Sequence, residues 1–157
     1  MLKRILFALI AVGCLFVSLD SFAQFYTTGE DPASVKWRII KGSHYSVIYP
    51  QEIDSLAKRY YFLLEKNRRS VLAGLKIDPA PVPVVLHPYS ARSNGLVVWT
   101  PKRMELYTQP SANNTYSQNW EEQLVLHESR HVGQVEHFTK GVFKPLSLII
   151  GQQSPGI

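Results

Sequence analysis

Near the C-terminal end of the chain, His127-Glu128-Ser129-Arg130-His131 combines the residue types of a hydrolytic metal site. Histidines four residues apart stand one helical turn from each other, so both imidazoles can reach a single ion at about 2.0–2.1 Å. His127 and His131 are the candidate metal ligands, and Zn2+ is the candidate ion. Glu128 projects from a neighbouring part of the helix surface. There it can reach a water at the ion without ligating the ion, which is where a general base must stand. Zinc brings the acidity of such a water close to neutrality, so a carboxylate can take its proton and the oxygen can attack a polarised carbonyl. The blander possibility is a structural histidine pair that holds no metal.

A helix must present these groups. Asn119 can cap it, and Glu122 three residues on completes a capping-box pattern. The helix then runs from Trp120 to Phe138, and Lys140 and Gly141 close it. At about 100° per residue, Trp120, Leu124, Val135 and Phe138 share the histidine face, so both rings are expected to point into the protein among apolar side chains. Gln134 projects beside the pair, either to hydrogen-bond near the site or to line a pocket wall. Arg130 reads as a solvated cation, with orientation of a carboxylate behind the site as the alternative.

The elements ahead of this helix are expected to supply a sheet and a second helix. Val35 to Ile40 and His44 to Tyr49 are rich in β-branched and aromatic residues, and Gly42-Ser43 separates them, a hairpin signal. Ile53, Leu56, Ala57, Tyr60, Leu63, Leu64, Val71 and Leu75 recur at helical steps, with Gly74 as a plausible stop. Pro79, Pro81 and Pro83 force an extended segment. Val82 to Leu86 is a short apolar strand that Pro83 places at a sheet edge or at a strand start. Ser93-Asn94-Gly95 marks a turn, and Leu96 to Thr108 reads as an exposed hairpin turning at Pro101-Lys102. His44 and His87 lack motif spacing and read as surface histidines. Tyr107 or Tyr116 could stabilise an oxyanion, although packing is the default for both. Trp99 and Trp120 read as core.

The chain has 157 residues, enough for one domain, and a formal charge of +5 that includes Lys3 and Arg4. The densest basic spot, Lys66 to Arg69, falls on the first helix as a solvated face, so no nucleic-acid partner is expected. Lys3-Arg4, the apolar run Ile5 to Leu19 and the small residues of Ser21-Phe22-Ala23 read as a secretory signal over residues 1–23. The alternative is an uncleaved anchor. Residues 24–34 form a flexible leader and residues 35–157 the domain, with no membrane span in the mature chain. The protein is therefore expected to be exported to the periplasm, to the outer membrane or beyond. Lipid attachment at Cys14, the only cysteine, is the minority alternative.

Several features together carry a resemblance: a strand ending in Tyr49-Pro50, a long amphipathic helix, the Asn94-Gly95 hairpin ending in Pro101, and a helix with His127-Glu128 and His131 followed by Gln134. The chain resembles the peptidase-MA-like, gluzincin-type metallopeptidase domains of large bacterial envelope proteins. In some of those a TolB-like or WD40-like propeller follows the domain. The resemblance runs loosely from about Trp37 onward, and only the helix motif is sharp. It implies an α+β, zincin-like fold: a small mixed or antiparallel sheet packed on two long helices, the second carrying the motif. It also implies His127 and His131 as zinc ligands, Glu128 as base, and a peptide or protein substrate paired with the hairpin edge. One departure stands out. Gluzincins take a third ligand, usually Glu, from a later helix. Here only Glu136 is acidic beyond His131, and it lies roughly opposite the histidine face, while His137 points about 100° from the pair. The sequence therefore reads as a domain truncated at its C-terminal end, and as a weak zinc site by itself. A non-catalytic binding or assembly module of a larger envelope protein is the alternative function.

Overall fold

The computed structural model describes residues 31–98, 101–112 and 117–138, with only the backbone given for His137 and Phe138. The expected signal peptide, Cys14, Trp99, Tyr116, the third-ligand candidate ring of His137 and the segment after Phe138 lie outside what is described. Within the described residues the architecture is α+β: one five-stranded mixed sheet and two helices.

The strands are β1 (Trp37–Lys41), β2 (Tyr45–Pro50), β3 (Val82–His87), β4 (Gly95–Val98) and β5 (Arg103–Tyr107). The helices are α1 (Asp54–Leu72), entered through a 3-10 turn at Gln51–Ile53, and α2 (Trp120–Phe138). In space the strands run β1-β2-β3-β5-β4. The two outer pairs are antiparallel hairpins, and β3 pairs in parallel with both β2 and β5. Both expected hairpins form, as does each expected helix, but the second hairpin is not exposed: Val98, Met104, Leu106 and Tyr107 are buried, because β5 pairs with the central strand β3.

Pro83 lies near the start of β3, but β3 is the central strand rather than an edge. The ladder explains why this is tolerated. Val82 N–H donates to His44 of the β2 side, whereas Thr108 N–H donates to His87 O from the β5 side. Alternate residues of a parallel strand face opposite neighbours, so the amide position of Pro83 faces β5. The β3–β5 pairing begins only at Val84, so no ladder bond is lost.

Alternation places Tyr45, Val47 and Tyr49 on one sheet face with Val82, Val84, Leu86, Met104 and Leu106, all buried. Ala57, Tyr60, Leu63 and Leu64 of α1 and Leu124, Val125 and Val132 of α2 close over that face. Each large side chain fully buried there contributes about 1.5–3 kcal/mol. Gly133 lets α2 close on α1 and on the turn after it: a Cβ at that position would meet Leu72 Cδ2 at 2.9 Å and Leu75 Cδ1 at 2.3 Å. Helix α1 ends where expected, with Ala73 as its last cap just before Gly74, but the glycine does not take the left-handed conformation. The left-handed residue is Lys76, at φ 50°. The last turn is instead closed from the side, because Arg130 Nη1 of α2 donates to Val71 O at 2.7 Å.

Candidate metal centre

Helix α2 crosses the sheet toward β4, the outermost strand on that side. Its face begins on the core, where Leu124 is buried and Trp120 donates its indole N–H to Tyr107 O at 3.3 Å. One turn later no further strand among the described residues covers it. His127 and His131, expected to point inward, are exposed. Helical spacing sets which residues share a face but not where the sheet beneath that face ends. The rings nevertheless converge. Their Nε2 atoms stand 3.1 Å apart, with the ring planes at 82°.

Glu128 goes inside, 3% exposed, together with its neighbour Ser129 at 2%. It packs under β4 at a point where only glycine fits. A Cβ on Gly95 would lie 2.6 Å from Glu128 Cγ and 2.8 Å from both Cδ and Oε1. Gly95, read from sequence as part of a turn, is thus the roof of the carboxylate, and its only legible signal was Asn94-Gly95 ahead of an apolar run. Burial pushes the Glu128 carboxyl above the ordinary carboxylate range, and the nearby His131 partly opposes that shift. A carboxylate with raised proton affinity is a stronger base. Gly95, Val97, Glu128, the two histidines and Val135 line a common cleft of about 280 Å³.

Gln134 resolves to the hydrogen-bonding alternative. His131 Nδ1 lies 2.9 Å from Gln134 Oε1. The amide oxygen can only accept, so a neutral His131 in this contact carries its proton on Nδ1 and turns the Nε2 lone pair toward His127. A hydrogen-bonded partner on the far nitrogen is what orients a metal-binding imidazole. Two nitrogens bound to one tetrahedral zinc at 2.0–2.1 Å stand roughly 3.3 Å apart, close to the 3.1 Å found here. The pair thus fits as two of the ligands. Without an ion, His127 Nε2–H donating to His131 Nε2 would account for the same contact. No group of three His, Cys, Asp or Glu able to hold an ion occurs among the described residues. Glu136 is engaged elsewhere, accepting from Lys102 Nζ at 2.7 Å, and so ties the β4–β5 turn to α2.

The remaining candidates fall outside the cleft. His44 pairs with Glu65 at 2.8 Å. His87 is not the free surface histidine expected. It pairs with Asp31 at 2.6 Å, is largely buried, and stacks on Tyr107. Tyr107 is packed there and under Arg92 (5.8 Å), and it does not line the cleft. Arg130 is exposed, as its reading as a solvated cation expects, and it also donates to Val71 O of α1 instead of orienting a group behind the site.

The outer edge of β4, unpaired among the described residues, runs along the cleft. Tyr107 N–H donates to Asn94 O, so in the alternation of an antiparallel pair the backbone of Gly95 and Val97 faces away from β5. Compared with protein-family models, with curated proteins and with solved structures, the chain matches none.

Proposed function

We propose that the chain carries the front part of a zinc-dependent metallopeptidase domain of zincin-like fold, exported to the cell envelope. The observation that carries this reading is the convergence, in one cleft, of two Nε2 atoms 3.1 Å apart with a buried carboxylate of raised proton affinity. When bound, zinc would polarise a peptide carbonyl and acidify a water. His127 and His131 would hold it, and Gln134 keeps His131 in the tautomer that leaves Nε2 free. Glu128 takes the proton of the attacking water and delivers it to the leaving amine. The outward N–H and C=O groups of Gly95 and Val97 hold an extended peptide antiparallel to β4, so the scissile bond lies over the histidines. A third ligand would come from a following segment of a larger protein, in which a propeller domain is a candidate neighbour.

The test is metal analysis of the purified chain together with a peptidase assay, each with and without chelator. One zinc per chain and chelator-sensitive cleavage that Glu128→Gln abolishes are expected. Full activity in Glu128→Gln removes Glu128 from the mechanism, and absence of bound metal after zinc loading removes the site. A second reading, a non-catalytic peptidase-like binding or assembly module, draws on the limit of two convergent histidine donors among the described residues. It predicts zinc binding and peptide binding at β4 with no cleavage.

A further inference from the structure

Among the described residues the sheet has a second unpaired edge, at β1, at the opposite end of the sheet from β4 and the candidate metal centre. Four of its five residues are exposed, among them Trp37 at 43% and Ile39 at 48%. Both side chains lie on the sheet face away from the helices, beside the half-buried Ile48. Exposed apolar residues on an unpaired edge form a template for another strand.

The ladder defines which backbone groups that template offers. Gly42 N–H donates to Tyr45 O, and Gln51 N–H donates to Lys36 O. Given the β1–β2 register, Arg38 and Ile40 also face β2, so the N–H and C=O groups of Trp37, Ile39 and Lys41 point outward. Three outward residues at alternate positions, centred on Ile39, suit a two-fold antiparallel pairing of β1 with itself. In that register Ile39 meets Ile39 and exchanges both its hydrogen bonds with it. Trp37 meets Lys41 and exchanges both of its own, and Arg38 stands opposite Ile40. Every outward group is used.

Charge also favours this register. Lys36, Arg38 and Lys41 make β1 strongly basic, which would ordinarily oppose self-association. In the Ile39-centred register no two cations stand directly opposite each other, and each Lys41 ammonium is brought to a Trp37 ring, a cation–π pair.

We propose that β1 is a self-complementary interface through which two copies of the chain pair antiparallel about Ile39, joining their sheets into one. The interface is isologous. Five-residue strands bury less than the roughly 1,200 Å² of a stable standard interface, so the dimer forms in a concentration-dependent equilibrium. Each β4 edge and cleft stays free at the outer ends.

Sedimentation of the full chain over about a hundredfold range of concentration tests this. The mass should rise from monomer toward dimer. Ile39→Lys and Ile39→Glu place like charges across the two-fold axis and should each be monomeric, whereas a mixture of the two should form a heterodimer. Ile39→Pro deletes an outward N–H while leaving the β1–β2 bonds in place, and it should also be monomeric with an unchanged circular dichroism spectrum. A wild-type chain that stays monomeric overturns the proposal, as does an Ile39→Lys chain that still dimerises. Failure of the two charged variants to pair on mixing overturns the Ile39-centred register.

Discussion

The fit between Gly95 and Glu128 can be tested by adding one methyl group. In Gly95→Ala the new Cβ would lie 2.6 Å from Glu128 Cγ and 2.8 Å from Oε1, well inside van der Waals contact. The strand cannot yield freely, because Leu96 and Val98 are paired to Glu105 and Arg103 of β5. The carboxylate must move, or the β4–α2 spacing must open. Overpacking of this kind costs about 1–3 kcal/mol. For a chain of this size each kcal/mol lowers the unfolding midpoint by roughly 2–4 °C, so a fall of about 4–8 °C is expected for ~2 kcal/mol. Thermal and urea unfolding of wild type, Gly95→Ala, Glu128→Ala and the double variant form a closed cycle. With Glu128 truncated, Gly95→Ala should be neutral or slightly stabilising, since alanine loses less backbone entropy than glycine. The expected coupling between the two sites is therefore about 1–3 kcal/mol. Under the proposed function, Gly95→Ala should also lose cleavage while keeping bound zinc. A Gly95→Ala protein as stable as wild type, or a cycle with no coupling, would refute the claim that Gly95 exists to house Glu128.

Other expectations concern the same helix. In chelator-treated protein, Glu128→Gln should be more stable than wild type at neutral pH. The folded-state pKa of Glu128 is raised above its ordinary 4.5, so its favourable, protonated form persists below that value and is lost as pH rises through the raised one. The gap between the two proteins should therefore close as unfolding is followed down to pH 4 and below. Gln134→Leu removes the acceptor for His131 Nδ1–H and should weaken zinc affinity about 10–100-fold, read by competition titration, with little change in unfolding. Arg130→Ala uncaps Val71 O and should cost about 0.5–1 kcal/mol in urea unfolding with zinc affinity unchanged, the site being partly solvent-screened. A large loss of metal from Arg130→Ala would mean that the residue acts at the centre after all.

Local pattern carried much of this molecule. Both helices, both hairpins and the helical placement of His127, Glu128 and His131 follow from residue spacing, because helix and strand periodicity are properties of a short stretch of chain. The single acidic residue after the motif was also legible as misplaced, and Glu136 indeed reaches Lys102 instead. What the sequence left open depends on distant strands. Whether a helix face is covered depends on where the sheet ends, so the histidines proved exposed and Glu128 buried. The central position of β3, despite Pro83, depends on which neighbour its amide side faces. The partners of Arg130 and His87 lie 59 and 56 residues away. The sequence by itself determined which groups could do chemistry and on which element they stand. Only the tertiary structure decided which of them are dry, which meet, and that one glycine leaves room for the carboxylate, because burial and close approach are set by chain segments that no local period can see.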